Sequence, residues 1–81
     1  MEVSVQFYSY LKELTGCAQT RELIATGATL GELHDHLITR FPKLGAMKRS
    51  TLLAVGVDYQ PRDFVLSNGD EVSLFPPVQG G

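Results

Sequence analysis

The stretch that decides the fold is "TLGELHDHLITRFP", residues Thr29–Pro42. Thr29 and Glu32 have the spacing of a capping box, in which each residue hydrogen-bonds the backbone of the other. The apolar residues recur at the spacing of one helical face; they are Leu30, Leu33, Leu37, Ile38 and Phe41. Pro42 cannot continue a helix. The pattern therefore predicts a helix over Thr29–Phe41 that faces the core.

Strand patterns lie on both sides of this helix. "EVSVQFY" (Glu2–Tyr8) alternates apolar and polar residues, which is typical of a half-buried strand. Further strands are predicted at Thr20–Ala25, Ser50–Val57 and Glu71–Pro76. In the last of these, Val72 and Leu74 face one way, and Ser73 and Phe75 face the other.

Two short segments complete the secondary structure. "SYLKELTG" predicts a short helix with Ser9 as its N-cap and Gly16 as its end. "DYQPRDFVL" predicts a turn and a short edge segment, because Pro61 cannot donate to a central ladder. The order of elements predicts the α+β class, with one long helix packed on one face of a small mixed sheet.

Composition narrows the class of protein. The chain has 81 residues, the size of one small domain, and a net charge of −2, which argues against a general nucleic-acid binder. It contains neither an apolar run long enough to span a membrane nor a leader pattern. Cys17, the single cysteine, excludes an internal disulfide and leaves no ligand set for structural zinc. We expect a soluble, cytoplasmic domain that contacts no membrane.

Side chains offer little support for catalysis. His34 and His36 are separated by roughly 200° around the helix and lack the spacing of a helical metal pair. We therefore predict solvated or half-buried histidines and no metal site. Cys17 has no neighbouring cysteine or obvious base, which favours a structural or incidental thiol over a nucleophile.

Basic residues are concentrated after the long helix. Arg40, Lys43, Lys48 and Arg49 lie in a segment without a single acidic residue. Two interpretations remain open for this segment. It forms either a solvated face or a docking patch for an acidic partner.

The C-terminal stretch "PPVQGG" predicts a tail over 76–81, attached to a domain over 1–75. Pro76 and Pro77 stiffen its exit from the sheet. Glycine has no Cβ, so Gly80 and Gly81 fit a channel that admits only backbone. The carboxylate of Gly81 is unhindered and open to activation by an enzyme.

Two apolar residues flank the prolines of this tail. Phe75 and Val78 are unusual choices for a free terminus, since disordered segments favour charged residues. Burial in a partner protein explains both residues.

Four segments together resemble a known family: "VQFYSYLKELTG", "TLGELHDHLITRFP", "LAVGVDYQ" and "LSNGDEVSLFPPVQGG". The sequence is similar to the small, sulfur-carrying subunits of molybdopterin synthase, which are ubiquitin-like β-grasp proteins. The resemblance spans nearly the whole chain, and its last segment is the most specific. It implies a β-grasp fold with a protruding C-terminal Gly-Gly tail.

In that family, a ubiquitin-activating-type enzyme adenylates the terminal glycine with ATP, and a sulfur donor system converts it to a thiocarboxylate. The tail enters a pocket of the large subunit, within a heterotetramer. There its sulfur is transferred to cyclic pyranopterin monophosphate, which builds the dithiolene of molybdopterin. The resemblance thus implies a chain that is no enzyme on its own and binds no cofactor tightly.

Carried over to this chain, the resemblance makes Gly81 the sulfur carrier and Gly80 the slim neck of the tail. It places Phe75 at the large-subunit interface, on the sheet face opposite the helix. Lys12 stands where the family usually has arginine, so the charge is kept and the planar fork is lost. Gly56 stands where the family often has asparagine, and Gln79 stands where it commonly has serine or threonine.

Three other functions are compatible with the sequence. A carrier of this type could serve another pathway, such as thiazole formation, tRNA thiolation or cysteine synthesis. A ubiquitin-like modifier would instead join target lysines through Gly81. A plain interaction domain would carry an inert tail.

Overall fold

The computed structural model describes residues 1–77. Within them, the structure contains five strands, two α-helices and one 3-10 helix. In chain order they are β1 (Glu2–Phe7), α1 (Leu11–Thr15), β2 (Gln19–Leu23), α2 (Leu30–Arg40), the 3-10 helix (Pro42–Met47), β3 (Leu52–Val55), β4 (Asp58–Tyr59) and β5 (Glu71–Phe75). No helix within residues 1–77 is both long and apolar enough to cross a membrane.

The five strands form one mixed sheet in the order β2-β1-β5-β3-β4. The first and last strands, β1 and β5, are parallel neighbours at its centre, and the other pairs are antiparallel. Two parallel strands cannot be joined by a hairpin, so the chain between them must cross the sheet. The long helix α2 lies in this crossover, and the predicted α+β class is confirmed.

The capping box predicted for α2 is present. Thr29 Oγ1 accepts a hydrogen bond from Glu32 N at 3.2 Å, and Thr29 N donates to Glu32 Oε1 at 3.0 Å. The helix ends at Arg40, directly before Phe41 and Pro42. Three leucines of its apolar stripe are fully buried, namely Leu30, Leu33 and Leu37.

The core lies between α2 and one face of the sheet. The strand residues that face the helix are all buried; they are Val3, Val5, Phe7, Leu53, Val72 and Leu74. The alternation predicted for the last strand is confirmed, since Val72 and Leu74 are buried and Ser73 and Phe75 lie on the other face. Each fully buried leucine or valine contributes roughly 1.5–3 kcal/mol, so this one layer supplies most of the hydrophobic stabilisation.

The loop after β4 closes over the N-terminus of α2. Leu30 N donates to Phe64 O, and Gly31 N donates to Arg62 O, both at 2.8 Å. These bonds satisfy amides that would have no partner within the helix. A Cβ on Gly31 would lie 3.1 Å from three atoms of Arg62, so only glycine lets the loop approach this closely.

The predicted cap of the short helix is wrong. Ser9 has a φ of +55°, and the N-cap of α1 is Tyr10, which makes no side-chain cap hydrogen bond. Tyr8 N still donates to Leu74 O at 3.1 Å, so the chain must turn sharply between β1 and α1. Ser9 makes this turn in the left-handed region and cannot also cap the helix.

The strands β2 and β3 differ from the prediction at both ends, by one or two residues. The strand β3 stops at Val55 because Gly56, with a φ of +63°, turns the chain into β4. The strand β2 is set by its pairing with β1, and it begins and ends before the predicted limits. The predicted edge segment is confirmed, since β4 is the outer strand of the sheet and ends before Pro61.

Candidate functional site

The strand β5 is the central strand of the sheet, and its last side chain, Phe75, lies on the face that α2 does not cover. Phe75 is its last residue and pairs with Leu52 of β3. The tail that follows therefore starts at the end of the central strand, between β1 and β3, rather than from an edge strand of the sheet. Its first residues, Pro76 and Pro77, are half-buried.

Three aromatic rings meet where the tail starts. The rings of Tyr8 and Phe75 are stacked, with centroids 4.5 Å apart and an interplanar angle of 14°. The ring of Tyr59 meets Phe75 edge-on, at 6.1 Å and 71°. Tyr8, Leu52 and Tyr59 remain 43%, 37% and 66% exposed. We call Tyr8, Leu52, Tyr59 and Phe75 the aromatic face.

Such a patch has a definite chemical use. Exposed apolar residues that lie together are typical of protein interaction sites. Tyrosine adds a hydroxyl that forms hydrogen bonds at the border of an interface. The aromatic face is therefore suited to bind another protein beside the root of the tail.

The other half of the open surface is polar. A shallow cavity of about 340 Å³ lies over β2, β1 and the start of β5. Its lining includes Ser4, Gln6, Gln19, Arg21 and Glu71. Gln6 Nε2 donates to Gln19 Oε1 at 3.1 Å. The open surface is thus divided into an apolar half at the tail and a polar half away from it.

Most of the predicted tail residues fall outside the described part of the chain. Val78, Gly80 and Gly81 lie beyond residue 77, as does Gln79, so their roles stay predictions. Lys12 lies on α1 and is exposed. The structure does not bring Lys12 into the aromatic face, and its contact with a partner stays a prediction.

Sequence reasoning found Phe75 but missed the two tyrosines that surround it. Tyr8 directly follows β1 and Tyr59 ends β4, and only the assembled sheet brings them to Phe75 of β5. A signal was present for Tyr8, since it continues the outward positions of the alternating strand "EVSVQFY". No sequence pattern marks Tyr59.

The prediction that both histidines are solvated or half-buried is wrong for His34, which is 1% exposed. Its Nδ1 lies 2.7 Å from Nη1 of Arg62, which can only donate. Nε2 therefore carries the proton, and it has no hydrogen-bond partner within residues 1–77. Burial, and then the Arg62 cation, lower the pKa of His34 to about 4. The loop after β4 buries this side chain, which the helical pattern cannot show.

A buried carboxylate ties the edge strand β2 to α2. Glu22 is 2% exposed and pairs with the guanidinium of Arg40. His36 Nε2 lies 3.0 Å from Glu22 Oε1, and Thr20 Oγ1 donates to Oε2 at 2.9 Å. Burial raises the pKa of the Glu22 carboxyl, but the hydrogen bonds and the Arg40 cation outweigh it and hold the pKa below its usual range. These contacts link β2 to α2 and thereby stabilise the fold.

Cys17 is half-buried between α1 and β2, with its Sγ 3.8 Å from Thr15 Oγ1. Within residues 1–77, no three histidine, cysteine or acidic side chains are close enough together to hold a metal ion.

Comparison with known proteins gives a consistent family. The ThiS family model matches residues 5–81. The molybdopterin synthase sulfur carrier subunit of Escherichia coli K12 is 33% identical, over 98% of this chain and 99% of that protein. SAMP1 from Haloferax volcanii is 24% identical and has the same fold, with a TM-score of 0.90 over the full length of both chains.

A third relative was solved as a complex of subunits 1 and 2 of the molybdopterin-converting factor from Helicobacter pylori. It is 27% identical to this chain, and the two structures superpose over the full length of both chains with a TM-score of 0.71. The resemblance in the sequence is thereby confirmed. The chain belongs to the ThiS family, has the ubiquitin-like β-grasp fold, and is a homologue of the molybdopterin synthase sulfur carrier subunits.

Proposed function

We propose that this chain is the sulfur carrier subunit of a molybdopterin synthase. The observation that carries the proposal is the position of Phe75, the residue directly before the predicted tail. The central strand β5 ends at Phe75 inside the aromatic face, so a protein that covers this face also receives the tail. End-to-end similarity to proteins named as sulfur carrier subunits supports the same role.

The reacting group is the carboxylate of Gly81. In the first step, a carboxylate oxygen attacks the α-phosphorus of ATP in the adenylating partner, and pyrophosphate leaves. In the second, sulfide-level sulfur (a hydrosulfide ion) from the donor system attacks the acyl carbon, and AMP leaves with its bonding electrons. The product is a thiocarboxylate, whose sulfur attacks a side-chain carbon of cyclic pyranopterin monophosphate and displaces an oxygen substituent there. Water then cleaves the acyl–sulfur bond, which leaves the sulfur on the pterin and restores the carboxylate of Gly81. The chain supplies no catalytic side chain for these steps in this proposal.

The length of the tail limits where this chemistry takes place. From Phe75 to Gly81 a fully extended chain spans at most about 20 Å. Pro76 and Pro77 restrict the direction of the tail, and Gly80 lets it pass through a narrow channel. The substrate pocket must therefore lie on the partner, close to the edge of the aromatic face.

The aromatic face is the docking surface for the large subunit. Aromatic side chains at the centre of an interface contribute most of the binding energy, and Phe75 lies between two other rings. The Helicobacter pylori relative supports such a partner, since it was solved as a complex of subunits 1 and 2. In this proposal Val78 and Lys12 also contact the large subunit, and the complex is a heterotetramer.

Complementation tests the function. Cells that lack the small subunit should regain molybdoenzyme activity with the intact chain but not with a chain that lacks Gly81. An additional alanine after Gly81 is a matched variant, because it keeps every residue and moves only the carboxylate. We expect it to be inactive as well. Restored activity without Gly81 would overturn the carrier role.

Intact mass separates the alternatives. The protein purified from its own host should include a form in which one oxygen is replaced by sulfur. A series of larger, isopeptide-linked species would indicate a modifier instead. If the thiocarboxylate forms but the intact chain fails to restore molybdoenzyme activity, the carrier serves a different pathway.

A further inference from the structure

A cationic groove borders the aromatic face at the root of the tail. It has a volume of about 290 Å³. Three basic residues, Lys48, Arg49 and Arg62, line it together with the apolar side chains of Leu52, Tyr59 and Pro61. No carboxylate in the described part of the chain lines it. We call these six residues the cationic groove.

The structure divides the basic segment that follows α2. Arg40 forms an ion pair with the buried carboxylate of Glu22 and thereby stabilises the fold. Lys43 lies exposed in the 3-10 helix, outside the groove. Lys48 and Arg49 enter the groove and meet Arg62, which the basic segment does not include. Two of the four basic residues of the segment therefore join Arg62 in the groove.

Two of the three cations are held in position. Lys48 Nζ and Arg62 Nη2 lie 2.9 Å and 3.0 Å from the same oxygen of Asp35. Arg62 is also bonded to the carbonyl of Gly31 at 3.1 Å and to His34 at 2.7 Å. One carboxylate between two cations leaves positive charge uncompensated, and Lys48 and the Arg62 cation lower the pKa of Asp35, so it stays ionised.

Arg49 is the least committed of the three. It is exposed and forms no ion pair with any residue between 1 and 77. A planar guanidinium with five donors matches a carboxylate in two-point contact. Arg49 is therefore the group that an anionic ligand would engage first.

We propose that the cationic groove binds an acidic peptide segment of the protein that covers the aromatic face. Leu52 and Tyr59 belong to both surfaces, and the Tyr59 ring lies 6.1 Å from the Phe75 ring. A partner on the aromatic face therefore extends into the groove without a gap. The apolar wall and the charges together suit a segment that mixes acidic and apolar residues, and the proposal rests on the proposed function.

Nucleic acid is the less suitable ligand. A phosphate backbone needs a longer row of cations than the three found here, and the chain has a net charge of −2. Acidic side chains on an otherwise neutral partner would be repelled elsewhere on this surface. The groove thereby orients the partner as well as attracting it.

The test compares two charge reversals in the full chain, Arg49→Glu inside the groove and Lys43→Glu outside it. The affinity for the large subunit of the same organism is measured at about 50 mM and about 500 mM salt, since salt at the higher concentration screens charge within a few ångströms. We expect Arg49→Glu to weaken binding about tenfold at low salt and far less at high salt. Lys43→Glu, which makes the same change of charge, should bind like the wild type.

Three results would overturn the proposal. In the first, both charge reversals lower the affinity for the large subunit equally. In the second, Arg49→Glu leaves this affinity unchanged. In the third, Arg49→Glu lowers it by the same factor at both salt concentrations. Titration with tRNA tests nucleic acid as the ligand. If the wild type binds tRNA, Arg49→Glu alone abolishes this binding and the complex with the large subunit is unaffected, the proposal is also wrong. The variant Phe75→Ala distinguishes this proposal from the proposed function. If Phe75→Ala loses binding and Arg49→Glu binds normally, the role of the groove is wrong and the role of the aromatic face stands.

Discussion

The two faces of the sheet differ in what they contribute, although the same strands build both. In β5, Val72 and Leu74 are 0% exposed beneath α2, while Phe75 on the open face meets two exposed tyrosines. The helix-covered face stabilises the domain, and the open face presents a binding surface. Alternation in a strand makes this division possible, because neighbouring residues point to opposite faces. Substitutions on the two faces should therefore have separable effects.

The largest effect is expected on the helix-covered face. Leu37→Ala removes a side chain that is 0% exposed, and it should lower the free energy of unfolding by about 2–5 kcal/mol. Urea denaturation measures the change. Leu23→Ala is the matched control, because Leu23 is 75% exposed and its loss should cost little. Equal losses in the two variants would contradict the division between the faces.

Acid should weaken the helix-covered side next. The pKa of His34 is about 4 in the folded protein and 6.5 ordinarily, so the unfolded chain binds an extra proton between these values. Stability from this residue is complete above pH 6.5 and falls as the pH drops toward 4, by about 3 kcal/mol in total.

Denaturation at several pH values between 6.5 and 5.5 measures the first part of this loss, above the ordinary pKa values of the Glu22 and Asp35 carboxyls, 4.5 and 3.8. The variant His34→Gln removes the titrating group, and its stability should depend less on pH in this range. If the slope is the same in both proteins, another group causes the acid sensitivity.

On the open face, the expected effect is on binding. Phe75→Ala should weaken the complex with the large subunit by about 2 kcal/mol or more, roughly 30-fold, because it removes the central ring of the aromatic face. Calorimetry or surface plasmon resonance measures the affinity. Ser73→Ala, on the same face of the same strand, should bind normally. A Phe75→Ala variant that binds normally but unfolds easily would assign this ring to stability.

The smallest effect concerns the start of the helix. Thr29→Ala removes the capping box of α2 and should lower the free energy of unfolding by about 1 kcal/mol, with no change in partner affinity. Thr39→Ala lies on the same helix and leaves the cap intact, so thermal unfolding of the two variants isolates the cap. A change in affinity would show that the two faces are coupled.

The fold was predictable to a large degree from periodicity. The stripe and cap of α2, the alternation of the last strand and the edge position of the segment before Pro61 all appear in the structure. Each depends on residues close together in the chain. The left-handed turn at Ser9 was not predictable, because the hydrogen bond from Tyr8 to β5 imposes it.

The candidate site was predictable only in part. Phe75 was identified by its place before the tail, but its two aromatic neighbours were not, since Tyr8 and Tyr59 reach it through strand pairing. The burial of His34 and the third cation of the groove both depend on where the loop at Arg62 lies. Such positions follow from contacts between distant segments, and a single sequence carries no record of them.

By itself, the sequence determined which residues form the long helix and which face of each main strand is apolar. These features are local, and backbone geometry and hydrophobic periodicity suffice to specify them. Only the tertiary structure decided that the tail starts from an aromatic face and that a cationic groove lies beside it. The aromatic face forms when β1, β3 and β4 assemble around β5, and the groove forms when the loop at Arg62 packs on α2. Both bring together side chains that no local pattern connects.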